Sequence, residues 1–123
     1  EESYAVVRSL QTRDLIIPVV GDIGGPAAMA AIGSAIAARG ETLSAFYVSN
    51  VENYLFQSGA FGRFVGNLSR LPRSEKSLII RSVFGGYARV QSGFGSASQV
   101  QRANELVEGY AAGRIRSYGD LVQ

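Results

Sequence analysis

The sequence predicts an α/β domain whose mostly parallel sheet is flanked by helices. Three observations carry this reading. Leu15-Ile16-Ile17-Pro18-Val19-Val20 is a continuous apolar run with the length and β-branched content of a strand covered on both faces. Met29, Ile32, Gly33 and Ile36 then recur at three- and four-residue spacing, the signature of an amphipathic helix. Leu43–Val48 follows as a second strand-like run. A strand–helix–strand unit of this kind is nearly always a right-handed crossover between parallel neighbours. Strands 15–20 and 43–48 are therefore expected side by side, with Asp22 and Asn50 at one sheet edge.

Upstream of the first run, Ser3 is suited to cap a short helix over Tyr4–Leu10, with Ala5, Val6 and Leu10 on its apolar side. Pro18 counts against a central strand, because proline has no N–H to give to a ladder. Gly21-Asp22-Ile23-Gly24-Gly25-Pro26 reads as a tight turn, and Pro26 suits the first turn of the helix predicted over 26–39. Gly40 ends that helix in the left-handed conformation glycine tolerates. After the second strand, Ser49 and Glu52 stand at capping-box spacing. They open a helix with Val51, Tyr54 and Leu55 inward, broken at Gln57-Ser58-Gly59. Phe61, Phe64, Val65, Leu68 and Leu71 mark the next helix, stopped at Pro72.

The rest divides into a strand over Leu78–Phe84, a Gly/Ser-rich loop over 85–98, and a helix over 98–112. That helix carries Val100, Ala103, Leu106, Val107 and Tyr110 and ends at Gly113. Arg114–Tyr118 reads as a last short strand. The organisation is one domain or half-domain over 1–123: a strand–helix–strand core at 15–48, a helical segment at 50–71, then the elements just named.

Composition narrows the chemistry. The chain of 123 residues has neither cysteine nor histidine, which excludes disulfides, thiolate nucleophiles, Ser-His-Asp and Cys-His catalysis, and His-ligated metals. Hydrophobic residues make up 46% and charged residues 18%, so a core can be buried. No apolar run reaches membrane-spanning length and no secretory signal is present, so a cytoplasmic location is expected. Charge is uneven. Residues 1–62 sum to −3, while 63–89 carry Arg63, Arg70, Arg73, Lys76, Arg81 and Arg89 against Glu75 alone. Such a block attracts phosphates. A solvated helix face explains it as well, and no aromatic-interleaved motif points to nucleic acid.

In open parallel sheets ligands bind beyond the carboxyl ends of the strands, which directs attention to two segments. In the first, Gly21, Gly24 and Gly25 let the backbone approach a ligand, and Asp22 is a candidate general base, ribose partner or metal ligand. An Asx turn is the plainer role for the same aspartate. In the second, Ser49 and Glu52 serve a cap or a ligand. Asn50, not needed for the cap, can orient a planar base, amide or carboxylate, and Tyr54 can stack on it.

Ile16-Ile17-Pro18-Val19-Val20-Gly21-Asp22, Gly25-Pro26 and Ala45-Phe46-Tyr47-Val48-Ser49-Asn50-Val51-Glu52-Asn53-Tyr54-Leu55-Phe56 resemble a bacterial family of class I methyltransferase-like proteins with an F-Y-x-S-N-V-E-x-Y-L-F motif. Leu71-Pro72, Ile80-Arg81-Ser82 and Gly113–Tyr118 fit the same pattern. The resemblance implies a Rossmann-like, methyltransferase-like sheet of which this chain is the C-terminal half. An upstream half would hold S-adenosylmethionine, and this half would face the acceptor. Asp22 and Asn50 match the motif positions best suited to orient that acceptor. The apolar edge of the 15–20 run then predicts either that upstream half or a homodimer as its cover. Two further expectations stand beside methyl transfer: a non-catalytic assembly module, and an anion- or nucleotide-binding module that joins the Gly21–Pro26 turn to the basic block.

Overall fold

A computed structural model describes residues 1–84, 86–87 and 93–123. Its elements run α1 (Glu2–Thr12), α2 (Ala28–Ala38), β1 (Leu43–Ser49), α3 (Val51–Gln57), α4 (Phe61–Arg70), β2 (Arg73–Phe84), β3 (Ser96–Arg102), α5 (Ala103–Ala111) and α6 (Tyr118–Val122). The sheet among the described residues has three strands in the order β1-β2-β3. β1 and β2 are parallel, while β2 and β3 are antiparallel. This small mixed sheet corrects the expected mostly parallel, Rossmann-like one.

The correction begins at Leu15–Val20, which forms no strand. Its composition suits a strand, but a strand also needs a neighbour. β1 pairs with β2 alone, and Pro18 would leave a gap in any ladder. The run has no regular secondary structure and is exposed, Val20 completely so at 101%. Leu15, Ile17 and Val19 line an apolar groove whose other wall is Ile32, Ala35 and Ile36 of α2. With no strand at 15–20, the expected crossover to 43–48 does not exist. Asp22 and Asn50 do not share a sheet edge.

The helix built from the Phe61/Phe64/Val65/Leu68 stripe is present as α4, whose inward side chains are buried. Leu71 turns to extended backbone just before Pro72, as the residue preceding a proline should. Helix 26–39 is present as the shorter α2, which starts at Ala28 and leaves Pro26 ahead of its first turn; Gly40, after the C-cap Arg39, has φ +66°. Elsewhere the boundaries shift. α1 starts after Glu1, so Ser3 lies inside it rather than capping it. β2 begins five residues before Leu78. Residues 98–102 belong to β3, so α5 is shorter than the helix expected at 98–112. Arg114–Tyr118 is not a strand. Ser117 caps α6 there in a reciprocal box with Asp120. The loop expected over 85–98 falls partly outside the described residues, as does Arg89, and Ser96–Ser98 are β3.

The core lies on one face of the sheet. Phe46 and Val48 of β1 and Ile79 and Val83 of β2 meet Phe61, Phe64, Val65 and Leu68 of α4 and Leu106 of α5. Phe46 and Phe61 each pack a tilted ring against Phe64 at about 6 Å. α2 joins this helical layer by packing on α4, where Gly33 comes close to Leu71 and Pro72. Strand residues alternate in direction, and the opposite face of the sheet carries Tyr47, Ile80 and Val100 in one row across the three strands.

Candidate functional site

Asp22 sits where the chain turns from the Leu15–Val20 segment into α2. Its Oδ1 accepts the Gly24 N–H at 2.8 Å, the Asx turn that the spacing allowed. Gly25 N–H closes the turn on the Asp22 carbonyl at 3.0 Å. Glycine is required close by: a Cβ on Gly21 would lie 2.5 Å from that of Ala28, and one on Gly25 3.1 Å from that of Asp22. The turn is fastened to α4 by Asn67. Its Nδ2 donates to the carbonyls of Ile23 at 3.0 Å and Gly25 at 2.8 Å. Arg63 Nε adds a bond to the Gly24 carbonyl at 3.3 Å.

These contacts build a cleft of about 650 Å³. One wall is Asp22, Gly24, Gly25 and Pro26; the other is the Gly62-Arg63-Gly66-Asn67-Arg70 side of α4. Gly66 has open space where a Cβ would stand, whereas a Cβ on Gly62 would lie 2.5 Å from the Tyr110 hydroxyl; two guanidiniums stand on this side and Asp22 and Pro26 on the other. Arg70 Nη1 donates to Asn67 Oδ1 at 3.4 Å. Among the described residues, neither Arg63 nor Arg70 joins an ion pair. The structure thus brings the expected Gly21–Pro26 turn together with the first two arginines of the basic block, across about forty residues of sequence.

Ser49, Asn50, Glu52 and Tyr54 lie outside this cleft. The capping box expected from Ser49 and Glu52 is absent. Asn50 is the residue before α3, without a side-chain cap bond, and Ser49 adopts φ +50°. Glu52 points into the core instead. It is fully buried and accepts Arg81 Nε at 2.6 Å and Nη2 at 3.2 Å. Arg81 Nη2 also donates to Gln101 Oε1 at 2.9 Å. A buried guanidinium with a two-point carboxylate partner is a stronger demand on Glu52 than two exposed backbone N–H groups. Tyr54 is exposed. Tyr47 Oη lies 3.1 Å from Ser82 Oγ on the bare face of the sheet, and the hydroxyls of Ser82 and then Ser49 draw its acidity up, so its pKa falls below the tyrosine norm.

Sequence reasoning passed over Asn67. Its signal was present as a polar amide in the interior of a helix whose neighbours Phe64, Val65 and Leu68 are core residues. A buried amide must find partners, and here those partners are the carbonyls of the turn.

Fold and cleft together define a small α/β domain with helices on one face of a mixed sheet and a two-arginine cleft at the end of its helical layer. The chain belongs to the family described as Domain of unknown function (DUF7790), whose model matches residues 1–114. That match covers α1 through α5 and the whole cleft. No curated protein matches the chain. No helix among the described residues is long and apolar enough to cross a membrane.

Proposed function

We propose that the domain binds a small phosphorylated ligand in the Asp22–Arg63–Arg70 cleft, with a nucleoside monophosphate as the fitting class. The observation that carries the reading is the convergence of two guanidiniums, free of ion pairs, on a glycine-lined space of ligand size. Guanidinium forks match phosphate oxygens in geometry and charge. Glycine walls let the ligand approach the backbone closely. Asp22 supplies the other end: only its Oδ1 is used by the turn, and a carboxylate there accepts hydrogen bonds from sugar hydroxyls while repelling a second phosphate. A cytoplasmic setting, where such esters are made and used, goes with this reading.

Calorimetric titration with adenosine monophosphate and with inorganic phosphate tests it. Arg63→Ala and Arg70→Ala each weaken both ligands by roughly 10- to 100-fold, the worth of one charge-assisted hydrogen bond. Asp22→Asn weakens the nucleotide and leaves phosphate unchanged. Binding that survives removal of both arginines refutes the assignment. A methyl-acceptor role for the same cleft is a second reading, supported by the uncommitted Oδ2 of Asp22, which can orient an acceptor hydroxyl. Titration with S-adenosylmethionine separates it from simple nucleotide binding.

A further inference from the structure

Two parts of the chain lack what the other provides. Among the described residues, the β1–β3 sheet is covered by helices on one face only. Its bare face presents Ala45, Tyr47, Ile80, Phe84 and Val100, with Tyr47 and Val100 each 61% exposed. Among the described residues, the charges on that face stand toward its end, at Lys76 and Arg102. α1 is the converse. None of its residues is buried, and it makes no substantial contact with any other element. Helical geometry sets Val6, Val7 and Leu10 along one side, with Tyr4 at its margin next to Arg8, and Tyr4, Val6 and Val7 are exposed.

The surface area shows the same shortfall. The chain exposes 8208 Å², against about 6,400 Å² for a compact monomer of 13.1 kDa. The excess comfortably exceeds the roughly 800 Å² per partner that a standard interface covers. A helix with an apolar stripe lying on a bare sheet face is the ordinary way such layers are completed. The two parts do not meet within one chain. α1 is joined through Arg13 and Asp14 to Leu15–Val19, which runs beside α2, and α2 belongs to the helical layer on the covered face. An 11-residue helix is only about 16 Å long. Placing it on its own outer face would mean rounding the sheet edge and stripping Leu15–Val19 from α2.

We propose that two copies of the chain form a reciprocal dimer in which α1 of each lies on the bare β1–β3 face of the other. The face is uncharged at its centre and the stripe is apolar, so the contact has no like charges to bury. Each copy gives one helix and receives one, and both sheets become three-layered.

Sedimentation velocity on the full chain tests this with two substitutions at exposed positions, so that folding, checked by circular dichroism, is preserved. Wild type is expected at twice the chain mass. Val7→Glu, on the stripe, and Val100→Lys, at the β3 end of the Tyr47–Ile80–Val100 row, each weaken the dimer by at least about tenfold through a charge set into an apolar contact. An equimolar mixture of the two variants restores it. One contact then sets Glu against Lys and the other is wild type, an outcome that only the exchanged arrangement gives. A monomeric wild type, with or without α1 folded onto its own sheet, overturns the proposal. A dimer that survives either substitution, or a mixture that stays monomeric, does the same.

Discussion

Replacing Glu52 by alanine should be the most damaging single substitution in the core. Its carboxylate holds Arg81 by two bonds, and the arginine is only 1% exposed. Glu52→Ala leaves a guanidinium in the core with Gln101 Oε1 as its one remaining side-chain partner. Breaking a buried pair by removing one partner costs about 3–5 kcal/mol. Unfolding entropy near 2.1 cal/mol/K per residue gives about 0.26 kcal/mol/K for 123 residues. The melting temperature therefore falls by about 12–19 °C. Thermal unfolding followed by circular dichroism or calorimetry measures it. The double variant Glu52→Leu with Arg81→Met removes both charges and fills similar volume, so it recovers most of the loss, since apolar replacement of a buried pair is often neutral or stabilising. A drop below about 4 °C for Glu52→Ala, the shift expected of 1 kcal/mol, would refute the account. So would a double variant no more stable than the single.

Asn67→Asp sets a carboxylate against the Ile23 and Gly25 carbonyls in place of a donor. It should cost about 2–3 kcal/mol and weaken ligand binding in the cleft, as melting and titration would show. Ser49→Gly relieves a left-handed serine at φ +50° and should leave stability unchanged or raise it by up to about 1 kcal/mol; a clear loss in denaturant titration would show that the hydroxyl beside Tyr47 matters more than the backbone. Tyr118 has its pKa raised above 10.0, first by burial and then by the Glu52 charge, with Arg81 opposing. The folded state thus holds this proton more tightly than the unfolded one, and stability declines as pH rises past 10.0 toward the folded value. Tyr118→Phe should flatten that alkaline decline in pH-dependent melts. Asp120 is shifted the other way, first by the Arg116 N–H and then by Ser117. Its contribution is present at neutral pH and lost as acid protonates it, so Asp120→Asn should reduce the sensitivity of α6 to acid.

The sequence exposed what depends on helical periodicity. α4 could be placed from five apolar residues and a proline, because an amphipathic stripe over ten residues has few other interpretations. Strands were harder. Ser96–Arg102 is polar or charged for most of its length, yet it pairs, because Leu78–Phe84 of β2 satisfies its backbone; the polar start of β2 meets β1 at Arg73. Leu15–Val20 has every compositional mark of a strand and pairs with nothing. Strand character is a property of neighbours, and no window of sequence contains them. The cleft was half legible. The glycine turn and the arginine block could each be seen, but their meeting depends on Asn67 bonding across more than forty residues. Arg81 looked like one more surface cation and Glu52 like a cap, since burial of a charge is decided by tertiary pairing alone.

The Arg81–Glu52 pair also acts as a registration pin. β2 is twelve residues long and meets β1 through a register with irregularities between Leu43 and Ala45 and between Tyr47 and Ser49. Such a pairing offers neighbouring alignments with nearly the same number of backbone bonds. A slip of β2 by one residue turns every side chain to the opposite face. Arg81 would then point to the bare side, Glu52 would be left charged in the core, and Ile80 or Ser82 would replace the guanidinium. A slip by two residues keeps the faces but moves the guanidinium out of reach of the carboxylate by about 6–7 Å. Only one alignment closes both bonds. What the two charges contribute is therefore a choice among sheets that hydrogen bonding alone would leave nearly equal, and β3 inherits that choice through Gln101.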